Sequence, residues 1–262
     1  MSVEVVGFVG LGNMGRVLCA NLVAAGHRVV AYDVAGPDRV PDGAASESVA
    51  GEIVATADRR VTHVIDTSTM GVPAAQSLAA RLTEAGVVLV DAPVSGGVAG
   101  ARARTLAVMF AADDAACAHV QPVLAGPSDN TRRVGDRPGL AQALKLANNF
   151  LSATALAATS EAVAFGVSVG LDMATMVDVL SASSGHNTAT SDKFPNHVIT
   201  GRYASGFSNS LMDKDVQLYL RAVAEQGTPA TVGEVTAAVW HRFAAAEPGV
   251  DFTRIYPFVE RG

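Results

Sequence analysis

Short apolar runs alternate with longer amphipathic stretches through the first half of the chain. The apolar runs have the length of buried strands and lie at 3–9, 28–33, 61–67, 87–91 and 106–111. Stretches with helical spacing of apolar residues lie between them, at 13–25, 47–57, 73–85 and 113–124. This alternation predicts an α/β fold with a doubly wound, parallel sheet in the first half.

The second half changes character, and from residue 140 onward the pattern indicates helices alone. The predicted helices lie at 140–169, 172–182, 209–225 and 229–246, and Thr228 is the expected N-cap of the last one. A cluster of Gly, Pro, Asp and Arg at 135–139 separates the two halves. The sequence therefore predicts an α/β domain over residues 1–137 and an all-helical domain over residues 138–262.

Composition narrows the classes of function. Hydrophobic residues make up 49% of the 262-residue chain and charged residues 17%, which indicates a globular protein. The formal net charge of −6 argues against binding to nucleic acid or to an anionic membrane, because phosphate contacts need clustered Lys and Arg. No leader or membrane span is expected, the histidines have no metal-ligand spacing, and Cys19 and Cys117 are expected to be free thiols. We therefore expect a cytoplasmic protein without a metal site.

A glycine-rich turn follows the first predicted strand and opens the first helix. In this turn Gly10 permits a tight bend, Gly12 lets the backbone approach a ligand, and Gly15 allows close packing of helix and strand. The backbone N–H groups of Asn13 and Met14 would point at the phosphates of a dinucleotide, where the helix dipole favours negative charge. The succession of strand, turn and helix predicts a dinucleotide-binding site.

Asp33 ends the second predicted strand, 18 residues after Gly15. A carboxylate there can accept hydrogen bonds from the adenosine ribose hydroxyls, and it repels a 2′-phosphate. An Asp that simply ends a strand and starts a turn is the alternative interpretation. The position favours NAD over NADP, and Arg39, nearby in sequence, keeps NADP open.

The segment Ser95-Gly96-Gly97 follows the fourth predicted strand, at the edge where open α/β sheets bind ligands. Its hydroxyl and accessible N–H groups suit a carboxylate, although a plain glycine-rich loop would have the same sequence. We therefore treat this loop as a candidate site for an acidic substrate.

A polar stripe interrupts the apolar helix that begins the second half. The spacing of Lys145, Asn148 and Asn149 places them on one helical face. Such a lysine could exchange a proton with a substrate oxygen, or it could be a surface lysine whose stem covers apolar neighbours. Lys214 is a second candidate cation, for which a solvated helix position is the simpler interpretation.

Together these segments resemble the β-hydroxyacid dehydrogenase family, which includes 3-hydroxyisobutyrate dehydrogenase and tartronate semialdehyde reductase. The motifs are Gly7-Phe-Val-Gly10-Leu-Gly12-Asn-Met-Gly15, Asp91-Ala-Pro-Val-Ser95-Gly96-Gly97, Gly135…Gly139…Lys145-Leu-Ala-Asn148-Asn149 and Lys214-Asp215. The resemblance covers nearly the whole chain and implies an NAD(P)-dependent oxidoreductase of a small β-hydroxyacid. It also implies a Rossmann-type first domain, a helical domain like that of 6-phosphogluconate dehydrogenase, and a homodimer or homotetramer.

The same resemblance implies a role for each segment. Lys145 would be the general acid/base, which takes the hydroxyl proton while the nicotinamide removes a hydride. The implied substrate-binding residues are Ser95, Gly96, Gly97, Asn148 and Asn149. The implied cofactor residues beyond the glycine turn are Ser68, Thr69 and Lys214.

The chain departs from the family between the second and third predicted strands. Family members carry another strand–helix unit there, whereas only 32 residues and one weak helix separate Asp33 from Asp66. An empty slot beside the first strand would leave about five backbone groups unpaired, and each costs roughly 1–3 kcal/mol if it is buried. We therefore predict that the strand at 61–67 moves beside the strand at 3–9, which displaces the Ser68-Thr69 segment and weakens cofactor binding.

Two alternative functions stay open. An imine-reducing relative would share the architecture, but such enzymes usually lack the catalytic lysine, and this chain keeps Lys145. A catalytically impaired nucleotide-binding or oligomerisation protein would fit the shortened sheet. The presence of Lys145, Asn149 and Ser95 favours a working enzyme over both.

Overall fold

A computed structural model describes residues 5–33 and 43–261 of the chain. Residues 3 and 4 of the first predicted strand, and Arg39, lie outside these ranges. The chain forms two compact units, Met1–Lys145 and Leu146–Gly262. The first is α/β and the second is helical, so the predicted fold class is confirmed. The sequence-based boundary at residues 137/138 stays a prediction.

The first unit alternates strands and helices. Its strands are β1 (Val5–Val9), β2 (Arg28–Tyr32), β3 (His63–Asp66), β4 (Val88–Asp91), β5 (Val94–Ser95), β6 (Ala107–Ala111) and β7 (Asn130–Gly135). Its helices are α1 (Gly15–Ala24), α2 (Gly43–Ala55), α3 (Val72–Glu84), α4 (Gly97–Ala103), α5 (Asp114–Leu124) and the start of α6 (Leu140–Ser168). The predicted strands and helices are present with shifted ends, whereas β5, α4 and β7 were not predicted.

The strands of the first unit form two sheets rather than one. Strands β1 and β2 pair in parallel as a two-stranded sheet. The other sheet has the order β3-β4-β6-β5, and β7 pairs with β6. The β3–β4 and β6–β7 pairs are parallel, while β6 runs antiparallel to β4 and β5, so this sheet is mixed.

The prediction that β3 moves beside β1 is wrong. Within the described residues, β3 pairs along its whole length with β4, from His63 opposite Val88 to Asp66 opposite Asp91, and not with β1. The prediction assumed that the free edge of β1 would be buried. Instead Val5 and Val9 of β1 are 47% and 46% exposed, so water can satisfy the backbone groups and the penalty for buried, unpaired groups does not apply.

The two-stranded sheet is joined to the rest of the first unit through α1. Leu18 of α1 is buried with Ala101 of α4 and with Leu106. The Asn21 side chain donates a hydrogen bond to the Ala101 carbonyl, 2.8 Å away. Two further apolar clusters cover the faces of the larger sheet with α3 and α5. Most of the apolar core of the first unit therefore belongs to the larger sheet.

The second unit is an all-helical core. It contains the rest of α6, α7 (Met173–Ser181), a π-helix (Ala189–Val198), α8 (Asn209–Glu225), α9 (Thr231–Ala246), a 3-10 turn (Phe252–Arg254) and α10 (Ile255–Glu260). Phe194, Trp240 and Phe243 are fully buried at its centre. Thr228 is not the N-cap of α9: Ala230 holds that position without a side-chain hydrogen bond, because the helix begins later than predicted.

Helix α6 is long and apolar enough, by length and composition, to span a membrane. The core helix of a water-soluble protein passes the same test. Within the second unit, Ala153, Leu156 and Val163 of α6 are buried in the apolar core. We therefore interpret α6 as a core helix.

Candidate active site

The glycine turn between β1 and α1 has the backbone that a dinucleotide site requires. Gly10 has φ +93°, in the left-handed region that favours glycine, and its N–H donates to the Tyr32 carbonyl of β2. A Cβ on Gly15 would lie 1.9 Å from the Gly10 carbonyl oxygen, so only glycine fits there. A Cβ on Gly12 would meet nothing within 4 Å, so this side of the turn is open to a ligand.

Asp33 braces this turn from the end of β2. One of its carboxylate oxygens accepts a hydrogen bond from the Leu11 N–H, 2.5 Å away. Met14 is the N-cap of α1, and its side chain makes no capping hydrogen bond. The Asn13 side-chain oxygen accepts a hydrogen bond from the Arg16 side chain. The structure thus brings together all the predicted cofactor residues of the β1–α1–β2 region.

The segment after β3 carries Ser68 and Thr69. The Ser68 N–H donates to the Asp66 carboxylate over 2.8 Å, which turns the chain away from the strand. The Ser46 hydroxyl of α2 lies 3.5 Å from the Ser68 hydroxyl. This segment is half-buried up to Met70, which is buried.

Gln142 in the first turn of α6 joins this segment to the end of β4. Its side-chain oxygen accepts hydrogen bonds from the backbone N–H groups of Met70 (3.0 Å) and Gly71 (3.1 Å). Its amide nitrogen donates to the Ser68 carbonyl (3.0 Å) and to the Asp91 carboxylate (2.7 Å). Gln142 is fully buried and Asp91 is 1% exposed, so these bonds are shielded from water.

The other Asp91 oxygen accepts hydrogen bonds from the backbone N–H groups of Gly139 (2.9 Å) and Gln142 (3.1 Å), at the start of α6. Burial raises the pKa of the Asp91 carboxyl above its ordinary value, while the hydrogen bonds oppose that rise. No role in the site is predicted from the sequence for Asp91 or Gln142. The available signals were that Asp91 opens one of the motifs shared with the family and that Gln142 is a polar residue within an apolar stretch.

The Ser95-Gly96-Gly97 loop connects β5 to α4. Gly96 has φ +127° and Gly97 has φ +63°, so the loop needs glycine at both positions. A Cβ on Gly96 would also press on the Leu106 side chain at 3.1 Å. The half-buried Ser95 ends β5, which pairs with β6. The backbone therefore turns sharply at this loop, and its use as a site for a carboxylate stays a prediction.

Lys145 is the last residue of the first unit and is only 7% exposed. Lysine is almost never buried to this extent unless it is paired. It follows Gln142 by three positions on α6, close to one helical turn. The alternative interpretation of Lys145 as a surface lysine does not fit this burial.

The remaining predicted polar residues lie in the second unit. Asn149 of α6 is buried and donates a hydrogen bond to the Asp215 carboxylate of α8, 2.5 Å away. The exposed Asn148 donates to the Asn149 side-chain oxygen over 3.1 Å. Lys214 Nζ lies 3.1 Å from the second Asp215 oxygen. Asp215, for which the sequence predicts no role, therefore links Asn149 to Lys214.

Two family models together match most of the chain. Residues 5–39 and 38–135 match the NAD binding domain of 6-phosphogluconate dehydrogenase. Residues 139–259 match the model described as NAD-binding of NADP-dependent 3-hydroxyisobutyrate dehydrogenase. The first match is interrupted near residue 38, between β2 and α2.

Individual relatives agree with these matches. The probable 3-hydroxyisobutyrate dehydrogenase of Mycobacterium tuberculosis is 33% identical, over 95% of this chain and 96% of its own. The 2-(hydroxymethyl)glutarate dehydrogenase of Eubacterium barkeri is 32% identical over 86% of this chain and 84% of its own. A solved structure of an M. tuberculosis 3-hydroxyisobutyrate dehydrogenase, described with L-serine, matches with a TM-score of 0.87 at 30% identity. The match covers 98% of this chain and 99% of that one. A Streptomyces aurantiacus imine reductase shares the fold at 19% identity, with a TM-score of 0.62. This match covers 97% of this chain and 99% of the reductase.

The alignment to the M. tuberculosis relative also shows a difference in length. It runs over 284 positions, whereas this chain has 262 residues, so at least 22 positions have no residue in this chain. That number approaches the size of a strand–helix unit, since a complete βαβ unit takes roughly 30 residues. The length difference agrees with the departure inferred from the sequence.

Proposed function

Because the chain belongs to the β-hydroxyacid dehydrogenase family, we infer that it is an NAD(P)-dependent oxidoreductase of a small β-hydroxyacid. It interconverts the hydroxyacid and the corresponding semialdehyde or keto acid. The observation that carries this conclusion is the 33% identity to a probable 3-hydroxyisobutyrate dehydrogenase over 95% of the chain, which spans both units.

The names of the relatives indicate a shared substrate chemistry. The compounds 3-hydroxyisobutyrate and 2-(hydroxymethyl)glutarate both carry a hydroxymethyl group on the carbon next to a carboxylate. L-serine, with which the M. tuberculosis structure is described, has the same arrangement. We propose that this enzyme also acts on a hydroxymethyl group beside a carboxylate.

The residues of the first unit fit a nicotinamide dinucleotide. The open face at Gly12 admits a pyrophosphate, whose charge the N–H groups of Asn13 and Met14 would meet. Asp33 would bind the adenosine ribose, and its charge favours NAD over NADP. We propose that Ser68 and Thr69 line the cofactor and that Lys214 of the second unit contacts its nicotinamide end.

A bound nicotinamide would supply the acceptor for the hydride that leaves the hydroxyl-bearing carbon. The protein positions the substrate and moves the proton. We propose that Lys145, in its neutral form, removes the hydroxyl proton during oxidation and returns it during reduction. Ser95 and the N–H groups of Gly96 and Gly97 would hold the carboxylate, while Asn149, adjacent to Asn148, orients the substrate.

An apolar stripe on α6 suggests how the chain associates. Leu151, Phe165 and Val169 are each about two-thirds exposed, at 65%, 69% and 65%. The spacing of 14 residues places Leu151 and Phe165 on one face of the helix, with Ala158 midway between them, and Val169 follows directly after the last residue of the helix. We propose that a second copy covers this stripe in a homodimer or homotetramer. Light scattering at micromolar concentration should give at least twice the chain mass, and a monomer would contradict this proposal.

We also expect the enzyme to act in the cytoplasm on a small acidic substrate, without nucleic acid or membrane partners. The imine-reducing alternative rests on a likeness of fold alone, and the buried Lys145 favours the hydroxyacid reaction. The catalytically impaired alternative is favoured by one observation, the exposure of β1, which carries the glycine turn.

A substrate panel separates these functions. The wild-type enzyme should oxidise β-hydroxyacids with NAD, followed by the absorbance of the reduced nicotinamide, and should be inactive on imines. Lys145→Ala should lower kcat by about 10²–10⁴-fold, because a positioned general acid/base is lost, while NAD still binds. Lys193→Ala, which changes a lysine of the π-helix, is the matched control and should keep near wild-type activity. A Lys145→Ala enzyme that retains more than half of the wild-type kcat would rule out the proposed role.

A further inference from the structure

The side chain of Gln142 uses its full hydrogen-bonding capacity inside the first unit. An amide group has two N–H donors and an oxygen with two lone pairs. Both donors and both lone pairs are occupied, by Ser68, Asp91, Met70 and Gly71. A buried amide with four partners in two other segments, residues 68–71 and the end of β4, holds those segments and its own helix in one arrangement.

Asp91 completes the same network from the end of β4. It accepts hydrogen bonds from the backbone of Gly139 and of Gln142, so it fixes the first turn of α6. One Asp91 oxygen also accepts a hydrogen bond from the Gln142 amide nitrogen, 2.7 Å away, and this bond orients the amide group. The network therefore connects the start of the helix that carries Lys145 to the Ser68–Gly71 segment.

Few side chains could replace Gln142 and keep these hydrogen bonds. A glutamate has no N–H donor for Ser68 or Asp91, and its charge would face the Asp91 carboxylate. A methionine has a similar length and shape, but its thioether cannot donate and is only a weak acceptor. The hydrogen bonds, rather than the volume of the side chain, therefore distinguish Gln142 from the residues that could replace it.

We propose that Asp91 and Gln142 are positioning residues, which hold the cofactor segment Ser68–Gly71 and Lys145 in the arrangement needed for hydride and proton transfer. This inference rests on the proposed function. Both side chains hydrogen-bond to groups of the protein, so each would act through the groups that it holds. A displacement of about 1 Å in such a group can lower a rate by about 10²-fold.

The first test compares Gln142→Met with Gln121→Met. Gln121 is exposed on α5, so the control makes the same chemical change outside the network. At a temperature where both variants are folded by circular dichroism, Gln142→Met should lower kcat by about 10–100-fold and weaken NAD binding, with a smaller change in the KM for the hydroxyacid. A folded Gln142→Met enzyme with kcat and NAD affinity within twofold of wild type would overturn the proposal.

The second test keeps the shape and the two acceptor contacts. In Gln142→Glu the introduced carboxyl lies beside Asp91, and two close carboxyls favour sharing one proton. When it is protonated, its O–H can again donate to Asp91. The deficit in kcat relative to wild type should therefore shrink when the pH is lowered from about 8 to about 6. A deficit that does not change with pH would contradict positioning through the donated hydrogen bond.

A third measurement does not depend on turnover. Calorimetry of NAD binding and hydrogen exchange of the Met70 and Gly71 amides report on the network even if the substrate class is wrong. If the wild-type enzyme oxidises no β-hydroxyacid, the proposed function fails, and NAD affinity then decides this inference. A loss of about tenfold in Gln142→Met, with faster exchange at both amides, supports positioning. Unchanged affinity overturns it.

Discussion

The two sheets of the first unit are built from similar residues but differ in burial. In β4, Leu89, Val90 and Asp91 are 3%, 0% and 1% exposed. In β1 and β2, Val9, Val30 and the other large side chains of the outward faces are about half exposed. The difference lies in the neighbours, because β4 has a strand on each side and helices against its faces, whereas in the part of the chain that the structure describes β1 and β2 pair only with each other.

This comparison shows that burial of a parallel strand depends on its neighbours more than on its own sequence. A run such as Val-Val-Gly-Phe-Val is typical of a central strand, yet here it forms an edge. A two-stranded sheet alone is marginally stable, so β1 and β2 depend on α1, whose Leu18 and Leu22 are buried. The glycine turn that is proposed to bind the cofactor lies on this less supported sheet, while the start of α6, which carries Lys145, packs with the well-buried one.

The largest expected difference is in hydrogen exchange. The amides of Leu89 and Val90 in β4 should exchange only through near-global unfolding, whereas those of Val6 and Phe8 in β1 should exchange through local opening. We expect exchange to be at least about 100-fold faster in β1. Exchange followed by NMR measures each amide separately. Equal protection in both strands would show that β1 is covered in solution.

A matched pair of substitutions tests the same comparison by stability. Val90→Ala removes methyl groups from a fully buried position, while Val9→Ala removes them from a position that is 46% exposed. The first should lower the free energy of unfolding by about 2 kcal/mol, and the second by less than about 0.5 kcal/mol. Urea denaturation measures both. Similar losses would mean that β1 is as well packed as β4.

Sequence periodicity predicted most strands and helices because each carries a local signal. It failed where the outcome depends on partners distant in sequence. Strand β7 has exposed arginines, and only its pairing with β6 makes it a strand. The position of β3 depended on whether the β1 edge would be buried, which the local sequence does not encode.

The site was predictable to a similar degree. Glycines with a required backbone conformation, such as Gly10 and Gly96, leave a signature in the sequence. The residues that link segments, Asp91 with Gln142 and Asp215 with Asn149, do not, since their partners lie 51 and 66 positions away. Such long-range hydrogen bonds become visible only when the fold brings the segments together.

Cofactor affinity tests whether the exposed sheet affects function. The predicted cause of weak binding, a displaced β3, is excluded, but weak binding itself stays a prediction for another reason. The turn proposed to bind pyrophosphate follows β1, and within residues 5–33 and 43–261 β1 has a paired strand on one side only, so this turn is less firmly held. We expect NAD to bind about tenfold more weakly than to the M. tuberculosis relative, since the loss of one polar contact costs about 1.4 kcal/mol. Calorimetry of both proteins measures this, and a dissociation constant in the low micromolar range would contradict it.

The smallest expected effect concerns the choice between NAD and NADP. Asp33 is exposed, and its charge would repel the 2′-phosphate of NADP by about 1 kcal/mol in water, which corresponds to roughly fivefold. Asp33→Asn keeps the shape and an acceptor for the Leu11 N–H but removes the charge, so the NAD preference in kcat/KM should narrow by about that factor. Asp58→Asn, at an exposed position outside the turn, should leave the preference unchanged. A wild-type enzyme with the higher kcat/KM for NADP would contradict this role. In that event Asp33 would serve only to brace the glycine turn, and the less supported sheet would contribute phosphate contacts without selecting the cofactor.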